Sequence, residues 1–253
     1  MEKTSPYLRL IQKTGLTRHP GGLLATDLLL QRTSLDKNSH VLDVGCGAGH
    51  TMAHIAKNYG CFITGIDIAH EPLDKARDFY KSEPFFHQLD FLQGDIESLP
   101  FADDSFDVVL CESVLIFVPD HEKALKEMVR VLKPGGFLAM NELCQSEDGV
   151  DFFDNEEFGG HLKTPKELLK SLKELSQILY DEKPFSISEQ LMADFRQWSS
   201  FSGILQIFES VHHIATDPQS RTDLMKIAKI SMSMPKEALS KLHWLLLLMK
   251  KKA

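Results

Sequence analysis

"VLDVGCGAGH", residues Val41 to His50, places three glycines within five positions directly behind an apolar run that carries an acid, Asp43. Each glycine costs backbone entropy on folding, so Gly45, Gly47 and Gly49 need a reason in the turn itself. The run Val41 to Val44 has strand length, and Met52, Ile55 and Ala56 share one face of a helix over roughly Thr51 to Tyr59. The stretch therefore reads as strand, glycine turn and helix, and a strand that stops in such a turn has something lying against its backbone.

The alternation continues to Glu142. Gly60 ends the first helix, and Cys61 to Ile66 reads as a second strand finishing at Asp67. Pro72 stands where a first helical turn tolerates proline, opening "EPLDKARDFY". A third strand lies within His87 to Gln93, a fourth at Phe106 to Cys111, an amphipathic helix at His121 to Leu132, and a fifth strand at Phe137 to Asn141 after the turn "KPGG". Strands separated by helix-length segments make βαβ units, hence an α/β, doubly wound, mostly parallel sheet whose ligands bind at the carboxyl ends of the strands. Outside this core, "GGLLATDLLLQRT" and "TPKELLKSLKEL" read as helices, "QILYDEK" as a strand, Ser188 to Ile214 as mostly helical and "LHWLLLLMK" as a last strand. These bring the strand count to seven. One domain is expected: a helical cap at 1–39, a core at 40–146, and at 147–253 substrate-shaping helices and the last strands.

Composition bounds the function. The 253 residues are 43% hydrophobic and 25% charged, as in an ordinary soluble globular protein. A net charge of −8 with an isoelectric point near 5.8 argues against a broad basic face for nucleic acid. The four cysteines are scattered, which fits reduced thiols in the cytoplasm, and the start "MEKTSPYLRLIQKTG" has no apolar h-region of a signal peptide. Trp244 to Met249 is far shorter than the roughly 20 residues of a spanning helix. With its basic tail it reads as a buried strand with a solvated end, a membrane anchor being the alternative.

Two further acids follow the glycine turn. The spacing is G-x-G-x-G, not the G-x-G-x-x-G of a dinucleotide site. Asp67, 22 positions after Gly45, would point into the same crevice, where a carboxylate can accept both hydroxyls of a ribose; the alternative is a helix N-cap. Asp95 follows Gly94 just after the third strand, where it could accept from an exocyclic amine while Ile96 covers a flat base; otherwise "GDIESLPF" is a solvated loop. All three loops open on one sheet edge.

With these residues in place, the chain resembles the class I S-adenosylmethionine-dependent methyltransferases, and among them the small-molecule, quinone-biosynthesis-like group. "VLDVGCGAGH", "GIDIA", "GDIESLPFADDSFDVVLCESVL" and "LKPGGFLAMNE" stand in the family's order over about Val41 to Glu142. The resemblance implies a Rossmann-like seven-stranded sheet with its last strand antiparallel beside the fifth. It also implies that S-adenosylmethionine is bound and released as S-adenosylhomocysteine. Gly45 and Gly47 would admit the methionine part and Asp43 would help hold its amino group. Asp67 would take the ribose hydroxyls, Ile68 would pack on adenine, and Asp95 with Ile96 would read the adenine edge. Cys111 to Ser113, with Glu112 between them, would close near the sulfonium.

In-line positioning of an O, C or N atom of a small-molecule acceptor then carries most of the rate, and no dedicated base is required. If the nucleophile is a phenol or enol, His19, Glu112, His121 and Glu142 are candidate bases, with His121 also a helix start. "RHPGG", Arg18 to Gly22, either starts the first helix or folds over the cofactor mouth. Phe117, Phe152, Phe153, Trp198, Phe201, Met232 and Met234 either line an apolar pocket or are core. No metal pattern surrounds His212 and His213, and no metal is expected. The base-methylating [ND]-PP-[YF] sequence is replaced by "CESV", which disfavours nucleic acid. Protein methylation, a non-catalytic S-adenosylmethionine-binding module and an NAD-dependent oxidoreductase remain as alternatives, and the oligomeric state is open.

Overall fold

The computed structural model describes residues 9–10, 19, 21–148, 162–182, 216–233 and 242–252. In chain order these form α1 (Gly22–Leu30), β1 (His40–Val44), α2 (His50–Tyr59), β2 (Phe62–Asp67), α3 (His70–Tyr80), β3 (Leu89–Gln93), β4 (Phe106–Glu112), α4 (His121–Val131), β5 (Leu132–Gln145), α5 (Pro165–Leu175), β6 (Ser176–Glu182), α6 (Pro218–Ser233) and β7 (Leu242–Lys251). The strands make one sheet in the order β3-β2-β1-β4-β5-β7-β6. The pairs from β3 to β5 are parallel, whereas β7 runs antiparallel between β5 and β6. Strand order reverses beside β1, so the crevice of a doubly wound sheet opens where the glycine turn leaves that strand.

Each face of the sheet carries its own core. On one side Ala25, Leu29 and Leu30 of α1, Met52 and Ile55 of α2, and Leu73 and Ala76 of α3 pack on Val41, Ile63, Val108 and Leu110. On the other, Leu125 and Met128 of α4 with Leu168 and Leu172 of α5 pack on Leu42, Val109, Leu138 and Met140. Strands buried on both faces explain why their sequences are nearly unbroken apolar runs. β7 shows this most fully: Leu245, Leu247 and Met249 belong to one core, Leu246 and Leu248 to the other. Its basic end is also protein-bound, because the Lys251 ammonium donates to Leu132 O at 2.6 Å and to Asp104 Oδ1 at 2.7 Å. Those bonds favour the strand reading over the membrane anchor. Among the described residues no helix is long and apolar enough to cross a membrane.

One expectation changes. "KPGG" is not a turn that separates helix from strand but an irregularity within β5: between the pairs Phe106↔Leu132 and Val108↔Phe137, β4 advances two residues and β5 five. Gly135, at φ 76°, lets the surplus chain loop out, and pairing then resumes. The third strand, Leu89–Gln93, lies within the stretch expected for it and follows a 3-10 turn at Phe86–Gln88. The helical expectation for 188–214, and with it His212 and His213, lies outside the described residues, as do Phe152, Phe153, Trp198, Phe201 and Met234.

Candidate active site

The glycine turn is held on the end of β2. Gly45 N–H and Cys46 N–H both donate to Ile66 O, at 2.7 and 3.1 Å. Gly45 and Gly47 lie at φ 69° and 51°, the left-handed region where a side chain is strained. At Gly45 space is closed as well, since a Cβ would come within 2.4 Å of Val114 Cγ2. Gly49 serves packing, as a Cβ there would stand 2.9 Å from the Phe91 ring.

Asp67 ties this turn to the next loop. Its Oδ2 accepts from Gly47 N–H and its Oδ1 from Ala69 N–H, both at 2.9 Å. The second bond is an Asx turn leading into α3, whose N-cap position is Ala69; Asp67 is therefore not the N-cap. Burial raises the Asp67 pKa against the lowering effect of those N–H donors. Asp43 sits one strand over, 4% exposed, with its pKa pushed well up by burial and then by the charges of Glu112 and Asp67. Gly94 N–H donates to Asp67 O at 3.0 Å, which sets the third loop beside the second. There Asp95 Oδ1 accepts from Glu97 N–H at 2.8 Å, while Ile96 packs on the core and Ile68, 61% exposed, stands free at the end of β2.

The end of β4 separates two carboxylate sites, because successive strand side chains face opposite ways. Cys111 belongs to the core on the α4 side, and its thiol donates to Glu142 Oε1 at 3.1 Å. Only the backbone of Cys111 is at the strand end, while its side chain is fully buried. Glu142 also accepts from Val114 N–H and Leu115 N–H at 3.1 and 3.2 Å, so its role is to hold the loop after β4. Ser113 in that loop adopts φ 59°, and its N–H donates to Asn141 O at 2.8 Å. His121 begins α4, buried, with Nε2 2.5 Å from Leu115 O. Glu142 and His121 are both buried.

Burial raises the Glu142 pKa to about 8 from an ordinary value of 4.5. Below the ordinary value both folded and unfolded chains hold this proton. As pH rises further the unfolded chain releases it first, so stability is lost progressively until the folded carboxyl ionises near 8. The loss amounts to a few kcal/mol. Glu142→Gln removes that part of the slope when urea unfolding is followed over pH; an unchanged slope contradicts the assignment.

Glu112 faces the other way, toward α1 and α2. Its side chain is 4% exposed and that of His19 is 11% exposed, with His19 Nε2 3.3 Å from Glu112 Oε2. Thr26 Oγ1 of α1 donates to both Glu112 oxygens at 3.0 and 3.2 Å, and Thr51 Oγ1 of α2 to Oε2 at 3.4 Å. Asn141 Nδ2 lies 3.1 Å from His19 Nδ1. His19 thus stands beside Glu112, while Gly21 and Gly22 start α1, as the helix-start reading of "RHPGG" has it. Sequence reasoning missed Thr26, Thr51 and Asn141. The signal was present for two of them, as parts of the polar pairs Thr26–Asp27 and Asn141–Glu142 inside the apolar runs "LLATDLLL" and "FLAMNELC". Among the described residues no three His, Cys, Asp or Glu side chains group as a metal site would require.

Comparison with known proteins gives the same picture. A family model described as a methyltransferase domain matches residues 42–140. Methyltransferase GfsG of Streptomyces halstedii is 37% identical over 118 residues, 47% of this chain and 42% of that protein. O-methyltransferase resE of Aspergillus sclerotiorum is 37% identical over 113 residues, 45% of this chain and 43% of that protein. The matches thus span rather less than half of those relatives. The crystal structure of the cyclase SpnF superposes with a TM-score of 0.76 at 24% identity, covering 98% of this chain and 93% of that one. At such identity the likeness is one of fold, and a fold hosts more than one chemistry.

Proposed function

We propose that this chain, whose residues 42–140 match a methyltransferase domain, is a class I S-adenosylmethionine-dependent methyltransferase that moves the methyl group of S-adenosylmethionine to a small-molecule acceptor. The observation that carries the reading is the Asp67 carboxylate accepting from Gly47 N–H at 2.9 Å, which supports Asp67 as the ribose-type acid beside the glycine turn. S-adenosylmethionine supplies a methyl group already activated by its sulfonium, so the chain's task is to bind, orient and exclude water. Gly45 and Gly47 admit the methionine part, with Asp43 behind its amino group. Asp67 takes the ribose, Ile68 and Ile96 sandwich the adenine, and Asp95 reads its edge. Cys111, through its backbone, and Glu112 stand at the sulfonium end. The cap at 1–39 and residues 147–253 enclose the acceptor. A small-molecule acceptor in the cytoplasm is further supported by the acidic charge and by GfsG and resE, both named methyltransferases; nucleic acid is disfavoured by "CESV" after β4.

The test is thermal stabilisation by S-adenosylmethionine and S-adenosylhomocysteine against NAD. Methyl-labelled S-adenosylmethionine and a metabolite extract then identify the product. Stabilisation by NAD alone overturns the reading. Replacing Asp67 with alanine weakens S-adenosylhomocysteine binding by about 1.5–3 kcal/mol, the range for hydrogen bonds to a charged group. Calorimetric titration of a variant with unaltered circular dichroism checks this, and unchanged affinity removes Asp67 from the site.

A further inference from the structure

We propose that His19 is the general base of this site, oriented by Glu112, and that the acceptor atom is the oxygen of a phenolic or enolic hydroxyl. The inference rests on the methyltransferase reading and extends it to the acceptor class.

Register places the pair at the reacting end. Val44 pairs with Cys111, so Glu112 is level with Gly45, and Glu112 pairs in turn with Asn141. Asp67 and Asp95, which take the adenosine on the proposed reading, follow β2 and β3 on the opposite side of the glycine turn. His19, Glu112 and Asn141 therefore stand on the β4–β5 side, where the sulfur and its methyl group are expected.

The carboxylate sets the tautomer of the ring. Glu112 Oε2 can only accept, so the Nε2 that lies 3.3 Å from it carries the ring proton. Nδ1 is then the acceptor, with the Asn141 amide nitrogen turned to it at 3.1 Å. Thr26 and Thr51 hold that carboxylate from two helices, at 3.0 and 3.4 Å, and its charge is felt at the buried Asp43. The result is a carboxylate-oriented imidazole with its basic nitrogen turned to a hydrogen-bond donor, the arrangement by which an imidazole accepts a proton and the resulting cation is stabilised.

A hydroxyl can replace the Asn141 amide at Nδ1, since it presents the same kind of donor. As the acceptor oxygen forms its bond to the methyl carbon, the carbon–sulfur electron pair leaves with sulfur and the hydroxyl proton passes to His19 Nδ1. Charge balances: the sulfonium becomes a neutral thioether and the imidazole an imidazolium that Glu112 faces. A neutral amine attacks through its own lone pair and loses its proton afterwards, so it makes no use of such a base. A phenol near its ordinary pKa of about 10 does.

The test uses full-length protein with S-adenosylmethionine and two kinds of probe: catechol and 1-naphthol, which are neutral at pH 7, and 4-nitrophenol, largely ionised in mildly alkaline buffer. His19→Gln lowers kcat on the neutral phenols by about 10²–10⁴-fold, the usual worth of general-base catalysis. It leaves KM for S-adenosylmethionine within twofold and costs little on ionised 4-nitrophenol, while imidazole restores His19→Ala. Glu112→Gln lowers kcat with the same preference for the ionised probe. A readout independent of turnover is the ¹⁵N spectrum of the histidine rings. His19 shows the Nε2–H form, and catechol added with S-adenosylhomocysteine shifts its Nδ1 signal, an effect lost in His19→Gln. Wild-type protein that binds S-adenosylhomocysteine but methylates none of the phenols overturns the proposal, as does equal loss on neutral and ionised probes. Failure to bind S-adenosylhomocysteine at all falls on the methyltransferase reading instead.

Discussion

Truncation before Leu242 yields insoluble protein with no cooperative thermal transition. The expectation follows from where β7 lies rather than from its being terminal. Nine of its residues pair with β5, from Leu242↔Gln145 to Lys250↔Phe137, and β6 has β7 as its partner in the sheet. Leu245, Leu246, Leu247, Leu248 and Met249 are each at most 3% exposed. At about 1.5–3 kcal/mol for each buried side chain, the lost burial is roughly 7–15 kcal/mol, as large as the whole stability of an ordinary domain. The cut also strips the long edge of β5 and leaves β6 without its ladder, which invites edge-to-edge association. Membrane anchoring forecasts the opposite: a truncated protein that stays soluble, melts cooperatively and has lost only its affinity for lipid vesicles.

The comparison of sequence with structure divides by range. "VLDVGCGAGH" is read within ten residues, and its strand, turn and helix appear where the apolar run and glycines place them. β7 was legible because an unbroken apolar run suits a strand covered on both sides, and its two faces do enter two different cores. "KPGG" carries turn chemistry, yet the ladder between β4 and β5 closes around it, since backbone pairing on both sides outweighs a local preference. The cluster at Glu112 could not be assembled in advance. Its bonds join residues 86 apart at Thr26, 61 apart at Thr51, and, between Asn141 and His19, 122 apart. The facing of Glu142 was out of reach for a related reason. This residue follows Asn141 directly, but strand alternation turns it to the opposite face, where it fastens the loop after β4 and leaves the crevice to its neighbour.

Gly45→Val is the substitution expected to do most damage at a single position. Two effects act in the same direction. At φ 69° a β-branched residue is held where its own Cβ and Cγ atoms crowd the backbone, a strain of about 1–3 kcal/mol. Its Cβ would also stand 2.4 Å from Val114 Cγ2 and 3.0 Å from Cγ1. Val114 is itself stiff about χ1 and its N–H is bound to Glu142 at 3.1 Å, so it yields only by moving the loop after β4. Overpacking of that kind costs a further 1–3 kcal/mol, giving a combined destabilisation of about 2–6 kcal/mol. The displaced turn would then lose the 2.7 Å bond from Gly45 N–H to Ile66 O and carry Gly47 away from Asp67. Binding of S-adenosylhomocysteine accordingly falls by at least a hundredfold. Gly45→Ala keeps the Cβ contact and the strained φ but removes the branch, so the difference between the two variants reads the branch alone. Alanine should melt earlier than wild type and bind measurably, whereas valine should not bind even where circular dichroism shows it folded. A folded valine variant with normal affinity would mean that the turn does not need its glycine and that the cofactor lies elsewhere.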